Sequence, residues 1–272
     1  MPNVYTWGAQ PATRNLTVAD LLAAKGKQQF TQVTANTSAE AAAAGAAGID
    51  MMLCSAHNVE VVREANDHMF LTAALAIPDY PTEKDILEGA LRALALGADA
   101  VFTARSMQVV EMLAREEIPV MGHLGLVPRK STWVGGLRAV GKTGDEAFDL
   151  YQRFKRLEDA GAVLVEAEVI PGDVMREIAS RSELICVSLG SGHEADVNYL
   201  FMNDICGEQK TAPRHARAFG NLHRLYKEIE VERVRALTAF REAAMDGTFP
   251  GKAETVQIDS AEFEKFLNRL ER

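Results

Sequence analysis

The sequence predicts an α/β fold, namely a (β/α)8 TIM barrel with additional C-terminal helices. The main observation is a phrase that occurs three times, in which a helical pattern ends at a glycine and a short apolar run follows. Its copies cover residues 47–53, 96–102 and 160–165. Glycine suits the left-handed backbone at a helix end, and such a run has the length of a strand buried on both faces of a parallel sheet. Helix and strand therefore alternate along the chain, as in βα units.

Other apolar runs and helical patterns extend this alternation. The runs cover residues 30–35, 70–76, 118–122 and 184–189, and the helices cover residues 83–96, 107–116, 145–160 and 173–180. A further helix begins near Thr37, because Thr37 and Ser38 offer N-cap oxygens and Glu40 adds an acid to the first turn. The total of about seven or eight strands favours the closed barrel over an open, doubly wound sheet. The first strand also lacks the G-x-G-x-x-G turn of a dinucleotide-binding open sheet.

The chain after Leu189 is predicted to be mostly helical. The helical patterns there cover residues 196–205, 216–245 and 260–270. The long one is amphipathic, since apolar residues such as Leu225, Ile229 and Val234 recur among many charges. Either it packs on the outside of the barrel or it forms a contact between subunits. We predict a single domain over residues 1–272, which includes the helical extension from about residue 216.

Composition and charge narrow the class of protein. The 272 residues are 47% hydrophobic and 25% charged, as in an ordinary globular protein, which excludes a disordered or collagen-like chain. The net charge of −9 disfavours nucleic acid and anionic membrane surfaces as partners, and no apolar run is long enough to span a bilayer. The three cysteines form no C-x-x-C motif, and residues 1–14 do not resemble a signal peptide. We therefore expect a cytoplasmic protein that acts on a small molecule.

The carboxyl ends of the predicted strands are where a barrel places its active site. The residues at these ends are Ser55, Ala56, His57, Ala104, Arg105, His123, Glu166, Glu168, Ser188, Gly190 and Ser191. Glu166 and Glu168 form the sharpest pair, because alternation along a strand puts both on one face. Two close carboxylates repel, so one pKa is raised or a cation lies between them, and either suits a general base acting next to a carbonyl. Alternatively, one glutamate points outward or pairs with an arginine.

The remaining polar candidates each have two interpretations. His123 follows an apolar run and precedes a glycine-flanked turn, where a histidine is either catalytic or a hydrogen-bonded structural residue. Arg105 could hold a carboxylate of an organic acid through two hydrogen bonds, or it could bind a neighbouring loop. His57 and His68 do not have the spacing of a standard metal motif. No zinc site is therefore predicted.

One block of the chain closely resembles the ketopantoate hydroxymethyltransferase family. The block starts with IPVMGHLGLVP at residues 118–128 and continues through residues 135–136, 144–147, 157–162 and 168–171. Fainter similarity follows at residues 190–192, 202–204 and 247–251. The resemblance implies a barrel of the phosphoenolpyruvate/pyruvate superfamily, in agreement with the repeated phrase. It also implies a homo-oligomer, and the amphipathic stretch after Ala216 is consistent with a subunit contact.

The resemblance further implies a chemistry and two site residues. The family enzyme removes a proton from C3 of a 2-oxo acid held on magnesium. It then adds the resulting enolate to the one-carbon unit of methylene-tetrahydrofolate. By motif, Glu168 corresponds to the family's base and His123 to its active-site histidine. Tetrahydrofolate is accordingly the cofactor that the resemblance implies.

The other charged residues of the family's site are not preserved. Its two magnesium-binding aspartates fall on Ala56 and Ala74, and the serine beside the first becomes His57. Its lysine falls on Phe102 and its nearby glutamate on Ala104. A developing enolate needs a cation or strong donors, which alanine does not provide. We therefore expect no divalent metal at the family's site and no ketopantoate synthesis by the family's magnesium-dependent route.

These observations predict a divergent enzyme that performs one-carbon or aldol-type chemistry on a small carbonyl or organic-acid substrate. Glu168 would accept the proton, and His123 would orient or polarise the substrate. His57, Arg105, Asp79 and Ser188 are the predicted substrate-binding residues. One alternative is a superfamily lyase, decarboxylase or hydrolase whose metal site was rebuilt from other residues. Another is a non-catalytic barrel that binds a small acid.

Overall fold

A computed structural model describes residues 3–271, and it divides the chain into two compact units, Met1–Phe219 and Gly220–Arg272. The first unit contains a closed barrel of eight parallel strands. The barrel strands are β3 (Phe30–Thr34), β4 (Met51–Ser55), β5 (Phe70–Ala74), β6 (Ala100–Phe102), β7 (Val120–Gly125), β8 (Leu164–Glu168), β9 (Ile185–Leu189) and β10 (Val197–Leu200). They follow one another in chain order, and β10 closes the barrel against β3. An antiparallel pair, β1 (Asn3–Tyr5) and β2 (Pro11–Thr13), precedes them. The predicted barrel is thereby confirmed.

Helices connect most of the barrel strands. They are α1 (Val18–Ala24), α2 (Ser38–Ala46), α3 (Val59–Ala65), α4 (Glu83–Ala95), α5 (Met107–Arg115), α6 (Ser131–Val134), α7 (Gly144–Asp159), α8 (Gly172–Ala179) and α9 (Met202–Cys206). As predicted, Thr37 caps α2 and Glu40 lies in its first turn; the two residues also cap each other reciprocally. The three glycines of the repeated phrase, Gly48, Gly97 and Gly161, all have positive φ, so each ends its helix in the left-handed region.

Two predictions differ from the structure in ways that matter for the site: the type of one element and the end of another. The prediction of a helix over residues 196–205 is wrong, because this segment contains β10 followed by the short α9. Val197 and Tyr199 alternate with more polar or exposed neighbours, and β10 pairs with both β3 and β9, which completes the barrel. Strand β7 also continues to Gly125 instead of ending at residue 122, so His123 lies within the strand.

Apolar side chains fill the amino-terminal half of the barrel interior. Phe30, Met51, Phe70, Leu164 and Ile185 stand at or near the starts of their strands and form one buried cluster. Because strand residues alternate between faces, the same inner face carries polar residues further along β7 and β8. Apolar side chains therefore fill the barrel at the amino-terminal ends of the strands, and its polar interior opens toward their carboxyl ends.

The second unit consists of two helices, α10 (Leu222–Asp246) and α11 (Ser260–Leu270). Val231, Val234, Leu237 and Phe240 of α10 each expose more than half of their surface within the described chain. The predicted single domain and the predicted homo-oligomer both stay predictions. Within residues 3–271, each helix is either too short or too polar to pass through a bilayer.

Candidate active site at the carboxyl ends of β7 and β8

The polar cluster at the barrel mouth is built by two neighbouring strands. In the β7–β8 register, His123 lies opposite Glu166 and Gly125 lies opposite Glu168. His123 and both glutamates share the inner face, as strand alternation predicts. The Nε2 atom of His123 is 2.9 Å from Oε2 of Glu168 and 3.5 Å from Oε1 of Glu166. We call His123, Glu166 and Glu168 the β7–β8 cluster.

Burial controls the protonation of Glu166. Glu166 and Glu168 are only 6% and 8% exposed, so water solvates their charges poorly. Burial raises the pKa of Glu166 from about 4.5 to about 7, helped by the charge of Glu168 and opposed by His123. Near neutral pH, Glu166 therefore exists as comparable amounts of acid and carboxylate. A group in this state can donate or accept a proton with little cost.

Local backbone features let the two strands come this close. Gly125 has a φ of +88°, and a Cβ at this position would lie 2.2 Å from the carbonyl oxygen of Glu168. The next backbone N–H, of Leu126, donates to that same carbonyl at 2.8 Å. Val169, which follows Glu168, has a φ of +51°, an unfavourable conformation for a β-branched residue. Backbone strain of this kind is concentrated at functional sites.

Two aromatic residues flank the cluster. The ring of Phe102 lies 5.7 Å from the ring of His123, centre to centre, at a tilt of 46°. Tyr199 is buried on the inner face of β10, and its pKa is raised well above the ordinary value by burial and by the charges of Glu166 and Glu168. Sequence reasoning missed Tyr199 because it assigned this segment to a helix. The alternation of Val197 and Tyr199 is the signal that could have found it.

Further polar side chains face the barrel interior beside this cluster. Gln32 lies opposite Tyr199 in the register and is 1% exposed. Neither amide atom of Gln32, nor the hydroxyl of the fully buried Thr72, has a hydrogen-bond partner among residues 3–271. The polar lining of the mouth therefore continues below Glu166 into the barrel.

His57 and Asp79 form a separate group on the other side of the mouth. Nε2 of His57 is 3.3 Å from Oδ2 of Asp79, with side chains 60% and 47% exposed. The His57 ring stacks on Tyr80 at 5.6 Å between ring centres. These residues line a cleft of about 420 Å³ along α4, and no member of the β7–β8 cluster lines it. The structure brings His57 and Asp79 together, but not with Glu168.

The side chains of Arg105 and Ser188 form hydrogen bonds with neighbouring loops. The guanidinium of Arg105 donates to the carbonyls of Tyr80 and Pro81 at 3.2 and 3.0 Å, which is the loop-binding alternative left open above. We call His57, Asp79, Tyr80 and Arg105 the loop cluster. Ser188 lies opposite Ala167 in the register, so it faces away from the two glutamates. Its hydroxyl donates to the Gly192 carbonyl at 2.6 Å and accepts from the Ser191 N–H.

Comparison with known proteins places this chain in a family. The sequence model described as ketopantoate hydroxymethyltransferase matches residues 54–252. The chain belongs to the ketopantoate hydroxymethyltransferase family. Among its relatives, the 3-methyl-2-oxobutanoate hydroxymethyltransferase of Pyrococcus furiosus is 30% identical over 88% of this chain and 91% of its own length. The enzyme of the same name from Pyrobaculum islandicum is 28% identical over 88% of this chain and 98% of its own length.

Solved structures of more distant proteins share the fold. The 2,3-dimethylmalate lyase, a member of the PEP mutase/isocitrate lyase superfamily, has a TM-score of 0.50 at 11% identity and covers 88% of this chain and 92% of its own. Oxaloacetate acetylhydrolase has a TM-score of 0.52 at 10% identity and covers 80% of this chain and 86% of its own. These similarities support the barrel assignment.

The magnesium site that the family implies does not fit the residues present. Ala56, Ala74 and Ala104 carry methyl groups where the resemblance expects carboxylates, and Mg²⁺ prefers oxygen ligands. Ala74 faces the mouth beside Phe102 in the register, and Ala56 is buried within the apolar core. In the β7–β8 cluster, by contrast, one nitrogen and two carboxylate oxygens lie within 4.8 Å of one another, a spacing that could hold a metal ion.

Proposed function

We propose that this chain is a divergent ketopantoate hydroxymethyltransferase-like enzyme that makes or breaks a carbon–carbon bond beside the carbonyl of a small organic acid. The observation that carries the proposal is the 2.9 Å contact between His123 and Glu168 inside the barrel mouth. The side chains of these two residues, the proposed base and the residue that orients it, are only 11% and 6% exposed. The residues expected to hold the family's magnesium are alanines, so the proposed proton transfers use only side chains of this chain.

Glu168 is the proposed general base. Its carboxylate takes the proton from the carbon next to the carbonyl, and the electron pair of that C–H bond moves into the enolate. The carbon of the enolate then attacks a one-carbon unit at the oxidation level of formaldehyde. The new carbon–carbon bond forms as the C=O electron pair of that unit moves onto its oxygen, and the resulting alkoxide takes the proton from Glu168. His123 holds the Glu168 carboxylate in place through its hydrogen bond. A positioned base of this kind contributes about 100-fold or more to a rate.

Glu166 is the proposed donor to the oxygen of the enolate. Its pKa of about 7 means that a large fraction carries a proton at neutral pH. A neutral carboxylic acid in an apolar setting can donate a strong hydrogen bond to a developing oxyanion. His57 and Arg105, two of the predicted substrate-binding residues, both belong to the loop cluster. Glu166 is within 3.5 Å of His123 and so lies with the base.

The one-carbon carrier and the substrate are part of the same proposal. The relatives named above are hydroxymethyltransferases, which supports a one-carbon transfer with tetrahydrofolate as the carrier. The substrate class that Glu168 suits is a 2-oxo acid or a related carbonyl compound with an acidic hydrogen on the neighbouring carbon. The same residues running in reverse would cleave such a bond.

One observation favours a second candidate, a lyase or hydrolase with a rebuilt metal site. It is the metal-compatible spacing within the β7–β8 cluster. Imidazole and carboxylate ligands together suit zinc, iron or manganese better than magnesium. Elemental analysis of protein purified without chelator separates the two candidates. One equivalent of bound metal supports the second, and a metal-free protein that still exchanges protons supports the first.

The experiment that tests the first candidate is proton exchange in deuterated water. 3-Methyl-2-oxobutanoate and pyruvate are incubated with the protein, and NMR follows the loss of the hydrogens on the carbon beside the carbonyl. We expect Glu168→Gln to slow exchange about 100-fold or more, because the amide keeps the shape but is not a base. Glu64→Gln, an exposed position on α3, is the matched control and should exchange at the wild-type rate. Equal rates in wild type and Glu168→Gln would remove Glu168 from the mechanism.

A further inference from the structure

We propose that a cationic cavity between the end of β7 and α7 binds an oxyanion, that is, a carboxylate or phosphate group. The cavity has a volume of about 190 Å³ and is lined by three basic residues, Lys130, Arg138 and Arg153. It lies outside the β7–β8 cluster, and its ligand chemistry does not depend on the proposed reaction.

The charges in this cavity are not balanced by the protein. Arg138 is paired, since it donates to Glu146 at 2.7 Å. The other oxygen of Glu146 accepts the backbone N–H groups of Gly141 and Lys142, so Glu146 is fully used. Two basic residues, Lys130 and Arg153, then face a single remaining acid in the lining, Asp149. The cavity therefore keeps one uncompensated positive charge.

The unpaired state of Arg153 is costly for the protein. A guanidinium carries five N–H donors and stays charged, yet Arg153 makes no hydrogen bond and no ion pair within 4.0 Å among the described residues. It is half-buried. Burial lowers its pKa, and the negative charge of Asp149 offsets part of that shift. A half-buried cation with free donors is stabilised when an oxyanion accepts those donors.

Lys130 also lines the cavity, and its ammonium makes no hydrogen bond or ion pair among the described residues. Burial lowers its pKa, and the nearby charges of Arg153 and Arg129 lower it further. Arg129 itself is held by the carbonyl of Ala104, so it adds positive charge without neutralising any. An anion between Lys130 and Arg153 would turn this repulsion into two attractions.

The lining also limits the size and type of the ligand. Leu126, Val127 and Val134 form apolar walls, so the cavity suits an acidic group carried on a small apolar body, or a small free anion. The planar guanidinium matches two oxygens of one carboxylate or phosphate, and the ammonium matches a third contact. Asp149 repels a second acidic group at the same end.

The cavity adjoins the candidate active site. Gly125 lines it, and the backbone of Gly125 packs against the carbonyl of Glu168. The oxyanion could therefore belong to the far end of the substrate or carrier, or to a separate small molecule. Both sources present the same chemistry to Lys130 and Arg153.

Calorimetric titration with inorganic phosphate and with malonate tests the site directly. We expect saturable one-to-one binding to wild type and a loss of about tenfold or more in Arg153→Gln and in Lys130→Gln, the usual effect of removing a charged hydrogen-bond partner. Arg156→Gln is the matched control, because Arg156 lies on the same helix, is exposed and does not line the cavity. Titration at constant ionic strength, adjusted with sodium chloride, removes general screening. No saturable binding to wild type, or equal loss in all three variants, would overturn the proposal.

Two further arms identify the source of the anion and keep this test apart from the mechanism. Phosphate that raises the KM for the carbonyl substrate assigns the cavity to the substrate's own acidic group, whereas phosphate without that effect assigns it to a separate molecule. Glu168→Gln should bind phosphate as wild type does. Wild-type protein that binds phosphate but does not exchange protons would support the anion site and contradict the proposed reaction. Wild-type protein that exchanges protons but does not bind phosphate would do the opposite.

Discussion

The two sides of the barrel mouth differ in what their polar residues are bonded to. In the β7–β8 cluster, a histidine and two glutamates bond mainly to one another, in a buried setting that shifts the pKa of Glu166. In the loop cluster, Arg105 is bonded to backbone carbonyls and His57 is paired with an exposed aspartate. The raised pKa of Glu166 suits proton transfer on the first side, whereas Arg105 holds the segment after β5 in place on the second. We propose that the acid–base chemistry takes place on the first side of the mouth and not on the second.

The largest expected effect comes from breaking the approach of β7 to β8. Gly125→Ala adds a Cβ that would lie 2.2 Å from the Glu168 carbonyl, at a residue with positive φ. We expect a loss of at least about 2 kcal/mol in the free energy of unfolding, together with loss of proton exchange. Urea denaturation and the NMR exchange assay measure the two effects.

Gly144→Ala provides the comparison for this change. Gly144 opens α7, has an ordinary φ and has open space where a Cβ would lie. Its replacement should leave stability and exchange close to wild type. A Gly125→Ala protein as stable and active as Gly144→Ala would show that the close approach is unimportant.

The pH dependence of stability sharpens the difference between the two sides. The pKa of Glu166 is about 7 in the folded protein and about 4.5 in its ordinary state, so folding favours the protonated form. This contribution is complete below about pH 4.5 and is lost as the pH rises to about 7. Its size is on the order of 3 kcal/mol. Glu166→Gln cannot ionise and should therefore keep its stability through this range.

Thermal or urea unfolding of both proteins between pH 4.5 and pH 8 measures this effect. The difference in unfolding free energy between wild type and Glu166→Gln should grow with pH, in favour of the variant, and level off above about pH 7. A difference that does not change with pH would contradict the assigned burial of the Glu166 charge.

A small effect is expected on the opposite side. His57→Ala removes an exposed pair with Asp79, and exposed pairs contribute about 1 kcal/mol or less. We expect the exchange rate to change by less than about threefold. A loss similar to that of Glu168→Gln would mean that the loop cluster takes part in the chemistry, and the contrast between the two sides would then fail.

The sequence predicted the barrel and the shared face of the two glutamates because both follow from simple periodicities. Alternation along β8 puts Glu166 and Glu168 on one face whatever the partners are. The contacts of Arg105 could not be predicted from the sequence, because they depend on which carbonyls the loop after β5 presents. Tyr199 was missed for a related reason, since β10 is a strand only through its pairing with β3 and β9.

Lys130 and Arg153 of the cationic cavity show the same limit. Lys130 and Arg153 are more than twenty residues apart, and nothing in the local sequence of either indicates that they meet. Only the structure shows that Glu146, which stands between them in the chain, is already bonded to Arg138.

The proposed reaction requires His123 and Glu168 to work without the family's magnesium ligands, and the metal dependence of proton exchange shows whether they do. The rate of proton exchange at the carbon beside the carbonyl is compared in excess EDTA and in millimolar Mg²⁺. We predict equal rates in both conditions for wild type and the same low rate in both for Glu168→Gln. Exchange that stops in EDTA and returns with Mg²⁺ would contradict the claim.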